Sequence, residues 1–232
     1  LSGVVIAFDL FNPIFLPGPW IVVGAVIDLW EKGSLTGHIA ATLQRVIVGF
    51  SAGMVLAVAA GIAAGHIRAV RNAIEPLVEM LRPIPPFAVL PLFIVWVGIG
   101  ETSKTAFIAY ATFFPMFVAT VHAVRQIDPL LLRAALSLGA RPRQLLVRVI
   151  LPAALPEILT GVRLGIGLAF FVIVISEFIA AEQGLGFLIN DGRNFFLVPQ
   201  MLGAAILLGL LGYGANSLVR LLERRVLRWQ QV

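Results

Sequence analysis

The stretch RAALSLGARPRQLLVRVILPAALPEILTGVRLG, residues 133–165, decides how the rest of the chain is read. It sets five arginines, Gly139 and three prolines beside apolar runs that on their own look like membrane segments. Working outward, the chain is 59% hydrophobic and only 12% charged, with a mean hydropathy of +0.99. A soluble domain carries roughly 25% charged residues, so this is a membrane protein. Spans of about 20 mostly apolar residues are expected at Ile39–Gly65, Ile84–Ile99, Thr105–Ala123, Glu157–Ala180 and Val198–Leu218. Leu1–Phe8 is too short to cross and reads as the end of a longer first helix. "NPIFLPGPW" reads as a turn, and "DLWEKGSLTG" as a polar lead into the next helix. The expectation is an all-α bundle in a single domain over residues 1–232, with six helices in the full chain.

Charge orients that bundle. Segments 66–82, 124–148 and 219–228 hold twelve arginines, whereas the alternating loops hold only Lys32, Lys104 and Arg193. By the positive-inside rule the first set is cytoplasmic, and so is the carboxyl end. The pI near 10.7 is thereby explained by topology, which leaves no case for a nucleic-acid partner. The chain has no cysteine, and His38, His66 and His122 are scattered. No metal site is expected.

Small residues predict how the spans meet. Gly49, Gly53, Ala57, Gly61 and Gly65 recur every four positions, Gly161, Gly165 and Ala169 form a second ladder, and Gly209, Gly212, Tyr213 and Asn216 share a face of the last span. Lipid offers no hydrophobic reward for helix contact, so close backbone approach has to supply it.

The opening stretch then falls in a cytoplasmic loop, 124–156. "LLLRAALSLGAR", 130–141, has helical spacing after the turn signal Asp128-Pro129 but is too short to span. Gly139 provides a stop, and Pro142 can start another helix. Leu145, Leu146 and Val149 give an apolar face, and Pro152 and Pro156 are expected to break the helix before the next span. A surface element held between two turns suits a docking role, with an ordinary interfacial loop as the alternative.

"RAALSLGARPRQLLVRVILP" resembles the EAA loop of ABC importer permeases: Ala134, Ala135, Gly139, Val149, Leu151 and Pro152 stand in register with that pattern. "TLQRVIVGF", "EPLVEMLRPIPPFAVLPLFIVWVGIGETSK", "LPEILTGVRLGIG" and "GLGFLINDGRNFF" are similar to permeases of the nitrate, sulfonate, taurine and bicarbonate group, over nearly the whole chain from about Asn12. The resemblance implies a type I importer permease of six helices in the bacterial inner membrane. It implies a homodimer that binds two ATPase subunits, which hold ATP and Mg2+, and a substrate-binding protein on the other side. ATPase coupling is assigned on that basis to Arg133, Ala134, Ala135, Gly139, Ala140, Arg141, Leu151 and Pro152. Arg133 stands where the pattern has Glu, which implies a facing ATPase surface that is less basic than usual, or acidic. No Gly-x4-Gly-Lys-Ser/Thr phosphate loop occurs, so the chain is not itself the ATPase and binds no cofactor.

Candidates for the substrate path or gate are Trp96, Glu101, Arg163, Glu177 and Glu182. Arg45 and Arg163 are close enough to helix ends to snorkel, and Glu101 and Glu182 read as gate residues, binding-protein contacts or solvated loop carboxylates. Glu177 ends a long apolar run, where burial is costly unless it is paired. "EQGLGFLINDGRNFF" is expected to re-enter the membrane edge and close the cavity outside. The cargo is a small oxyanion, a sulfonate or a neutral vitamin precursor. A stand-alone secondary transporter or channel is the alternative class, although no inverted repeat supports it.

Overall fold

The computed structural model describes residues 17–227, and every regular element among them is helical. The expected helix end at Leu1–Phe8 lies outside the described residues. Four continuous helical stretches are long and apolar enough to cross a membrane: Ser34–His66, Glu101–Arg125, Pro142–Ile179 and Val198–Val226.

The first described helix, α1 (Pro19–Glu31), was not anticipated from the sequence. It opens on Pro19, whose fixed φ and missing N–H suit a first helical turn. It closes through Lys32 and Gly33, and Gly33 has φ +71°. The segment read as a polar lead is therefore the end of one helix and the start of the next, α2 (Ser34–His66).

Helices α3 (Arg68–Leu81) and α4 (Pro86–Val97) meet at 105°. The span expected at Ile84–Ile99 is thus one 12-residue arm of a bent pair, about 18 Å long against a hydrocarbon core of about 30 Å. Pro83, Pro85 and Pro86 account for the break, because each removes a donor and disfavours the helical region in the residue before it.

Helix α5 (Glu101–Arg125) occupies the centre, with Phe107, Ile108, Met116 and Phe117 fully buried. It runs parallel to α2, and the small-residue ladder of α2 forms the seam. A Cβ added at Gly49 would lie 2.7 Å from that of Ile108, and one at Gly61 would lie 2.6 Å from that of Thr120. The second ladder packs α8 (Leu151–Ala180) antiparallel on the other side of α5, where Gly161 meets Ala119 and Gly165 meets Met116. The third ladder departs from expectation. On α10 (Val198–Val226) Gly212 touches Phe170, but Gly209 faces open space and Tyr213 is exposed. This helix lies at the edge of the bundle, where α1 crosses it with Val26 against Gly203.

Between α5 and α8 stand α6 (Pro129–Ser137), α7 (Pro142–Leu145) and a π-helical turn, Leu146–Ile150. Pro152 and Pro156 do not break the chain, because the helix continues through both to Ala180. The wide turn accounts for Pro152. Leu151 N–H donates to the Leu146 carbonyl five residues back, so the ladder is already re-spaced where Pro152 removes a donor. Helix α9 (Leu185–Asn194) then leads into α10.

Candidate functional site: a buried ion cluster and an exposed short helix

Arg45 lies one turn before the Gly49–Gly65 seam, facing the start of α5. Only 4% of it is exposed. Its guanidinium forks onto Glu101, with Nε donating to Oε2 at 2.5 Å and Nη2 to Oε1 at 2.8 Å. Nη1 donates to Glu177 Oε1 at 2.7 Å and to the Gln183 carbonyl at 2.5 Å. Lys104, one turn beyond Glu101 and itself 4% exposed, donates to Glu101 Oε1 at 2.9 Å. Two cations thus face two carboxylates from three helices. An uncompensated buried charge costs several kcal/mol, so the four groups stand or fall together.

The two carboxylates differ sharply in surroundings. Glu177 has no exposed surface, while the Glu101 side chain is 62% exposed. Glu177 accepts from Thr42 Oγ1 at 2.9 Å and from the Gly186 N–H at 2.7 Å. It therefore sits at the N-terminus of α9, where unpaired N–H groups favour an anion. Thr42 Oγ1 in turn accepts from Leu185 N–H, and His38 Nδ1 accepts from Gly184 N–H. Gly184, at φ +135°, is required twice over: a Cβ there would fall on the Glu177 carboxyl group, and one at Gly186 would stand 2.9 Å from Oε2. The segment expected to re-enter as a plug is thus tied by four consecutive backbone groups, 183–186, to side chains of α2 and α8.

A polar cavity of about 390 Å³ opens above this cluster, lined by Arg45, Ile99, Gly100, Glu101, Lys104, Glu182 and Gln183. Among the path candidates, Glu101, Glu177 and Glu182 are brought together here. Trp96 is exposed on α4 and touches Phe93, away from the cavity lining. Arg163 pairs instead with Glu223 of α10, and its Nε and Asn216 Oδ1 are buried without partners among the described residues. The snorkelling reading of Arg45 does not hold, because the side chain turns inward to two carboxylates. Thr42, Lys104 and Gln183 were missed as members of the site. Lys104 did carry a signal, the three-residue spacing from Glu101 on a helix start.

At the opposite, arginine-rich end, α6 has no buried residue at all. Asp128 caps it by accepting from Leu130 N–H at 2.8 Å. At its other end Gly139 N–H donates to the Leu136 carbonyl and Ala140 N–H to that of Ala135, with Gly139 at φ +77°. This is a Schellman closure, and the left-handed residue it needs is the glycine. Arg133, Ala134, Gly139 and Arg141 are exposed, Ala135 and Ala140 are half-buried, and Leu130, Leu136 and Leu138 stand out from the surface. Leu151 and Pro152 are half-buried at the base of α8.

The fold is a polytopic helix bundle with an ion-locked end and an exposed, double-capped helix at its basic end. The family model described as binding-protein-dependent transport system inner membrane component matches residues 53–228, and the chain belongs to that family. The chain is 36% identical over 230 residues to the taurine transport system permease protein TauC of Escherichia coli (strain K12), covering 97% of this chain and 84% of that protein. It is 39% identical over 220 residues to the riboflavin transport system permease protein RibX of Chloroflexus aurantiacus (strain ATCC 29366 / DSM 635 / J-10-fl), covering 95% and 82%. Its fold is similar to a chain of the inward-facing MetNI methionine ABC transporter, with a TM-score of 0.72 at 21% identity over 84% of this chain and 97% of that one. The protein is a permease subunit of an ABC importer with the type I fold, and not a stand-alone transporter. ATP hydrolysis belongs to a partner subunit.

Proposed function

We propose that the chain forms, as a homodimer in the bacterial inner membrane, the path for a small anion of the sulfonate type handed over by a binding protein. Two ATPase subunits, holding ATP and Mg2+, dock on the cytoplasmic side, where the carboxyl end also lies. The coupling element is residues 124–156, with Arg133, Ala134, Ala135, Gly139, Ala140, Arg141, Leu151 and Pro152 at the contact. The observation that carries this is α6 itself, a helix with no buried residue, capped at both ends and presenting leucines outward. An apolar surface held this rigidly at an arginine-rich end fits a soluble partner better than lipid.

ATP hydrolysis by the reconstituted complex, with and without binding protein, tests this reading. Gly139→Pro forces the φ +77° residue to about −65°. The expected result is an assembled complex that has lost stimulation by the binding protein, and full stimulation in the variant contradicts the assignment. The sulfonate reading draws on the taurine permease and on the two cations lining the cavity. The 39% identity to a riboflavin permease favours a neutral organic cargo instead. Uptake of labelled taurine and labelled riboflavin by the same vesicles separates the two.

A further inference from the structure

The carboxylates around Arg45 are not equivalent, and their difference points to a ligand. Glu177 is enclosed by Gly184 and Gly186, has no exposed surface and cannot leave without unravelling the start of α9. Glu101 is the first residue of α5, is largely exposed and follows Gly98 and Gly100, around which a Cβ would meet nothing within 4 Å. Beneath it lie two almost fully buried cations that both line the cavity. Glu101 therefore covers two buried cations with one negative charge.

We infer that Arg45 and Lys104 form an anion site occupied at rest by Glu101, and that a monovalent oxyanion head group takes the place of that carboxylate. The head group accepts from Arg45 Nε and Nη2 and from Lys104 Nζ, the donors that now hold Glu101. Nη1 of Arg45 stays on Glu177 and the Gln183 carbonyl, so the guanidinium does not move. A fork of two N–H groups suits sulfonate or carboxylate oxygens as well as it suits Glu101.

Charge balance makes the exchange feasible and sets its selectivity. Arg45 and Lys104 against Glu177 and one bound monoanion sum to zero, as they do with Glu101 in place. A dianion leaves an excess negative charge beside Glu177 and near Glu182, in a poorly screened site. Release of Glu101 breaks three charge-assisted hydrogen bonds, which the incoming head group remakes, and the freed carboxylate passes to the water that its side chain already largely faces. The cavity, about 390 Å³, is of a size that holds a small organic anion.

This inference rests on the anion-import reading, and the test separates the two. The permease–ATPase complex in nanodiscs is titrated, without binding protein, with methanesulfonate, nitrate and sulfate at constant ionic strength. Glu101→Ala is expected to tighten methanesulfonate binding about tenfold over the intact chain. Adding Lys104→Met should abolish that gain, and sulfate should bind about tenfold more weakly than methanesulfonate. Monoanion affinities within about twofold of the intact chain, or sulfate binding as tightly, overturn the inference. Nitrate binding without methanesulfonate binding keeps the site and removes the sulfonate reading. If Glu101→Ala fails to assemble, Lys104→Met alone is assayed for uptake. A KM raised about tenfold supports the site, and an unchanged KM overturns it.

Discussion

The two ends of this bundle solve opposite problems. Around Arg45 the charges of Glu101, Lys104 and Glu177 are paired inside the chain, and four consecutive backbone groups of the following segment are held by buried or half-buried side chains. Around Arg133 no residue of the short helix is fully buried, Leu132 packs only partly against the core, and the helix is closed by its own caps. The first end is complete as a monomer and can change only by exchanging one ion for another. The second is rigid but unsatisfied, which is what a surface requires if it is to transmit a push from a partner.

The sharpest way to break this comparison is Glu177→Ala, which leaves Arg45 without its enclosed partner and the start of α9 without its anion. The expected loss is about 3–5 kcal/mol, read as a large fall in the thermal midpoint of the detergent-solubilised protein. An unchanged midpoint would mean that the cluster contributes nothing to the fold. Next in size is Gly53→Val on the α2–α5 seam, where a Cβ would stand 2.5 Å from Thr112 Oγ1. Overpacking there should cost about 1–3 kcal/mol, visible as reduced recovery of folded protein. Gly209→Val, facing open space on α10, should change recovery little and serves as the matched control.

At the basic end the effect should appear in coupling and not in stability. Arg133→Glu alters an exposed side chain, so stability should stay within about 0.5 kcal/mol. Pull-down with the chain's own ATPase should weaken, while an ATPase carrying a basic facing residue should bind the variant better. Equal binding of both forms to both partners removes the charge argument. Smallest of all, Lys32→Ala breaks an exposed pair with Asp28 at 2.6 Å, and its effect on the midpoint should fall within about 1 kcal/mol.

Much of this was legible in the chain. The apolar runs, the arginine asymmetry and the ladders at Gly49–Gly65 and Gly161–Ala169 each follow from a local period, and the structure uses both ladders as seams. Gly139, read from the sequence as a helix stop, closes α6 in the left-handed conformation. Glu177 was recognisable as a residue that must be paired, because an apolar run ending in a carboxylate states its own cost. Helix α1 escaped notice because thirteen residues fall short of a span and its polar end looks like a loop. Pro152 misled, because a π-helical turn absorbs its lost donor and leaves no trace in composition, and Pro156 misled because a membrane helix tolerates an internal proline.

What the sequence determined by itself is therefore the membrane setting, the helix seams and the motif-bearing loop, all of which depend on neighbours within one helix or on the order of the segments. Only the tertiary structure decided that Thr42, Arg45, Glu101, Lys104, Glu177 and the segment 183–186 are one site. The hydrogen bond from Leu185 to Thr42 alone joins residues 143 positions apart. No periodicity carries information across such a distance. It takes the close parallel approach of α2 to α5, made possible by missing side chains, to bring a buried guanidinium within reach of two carboxylates.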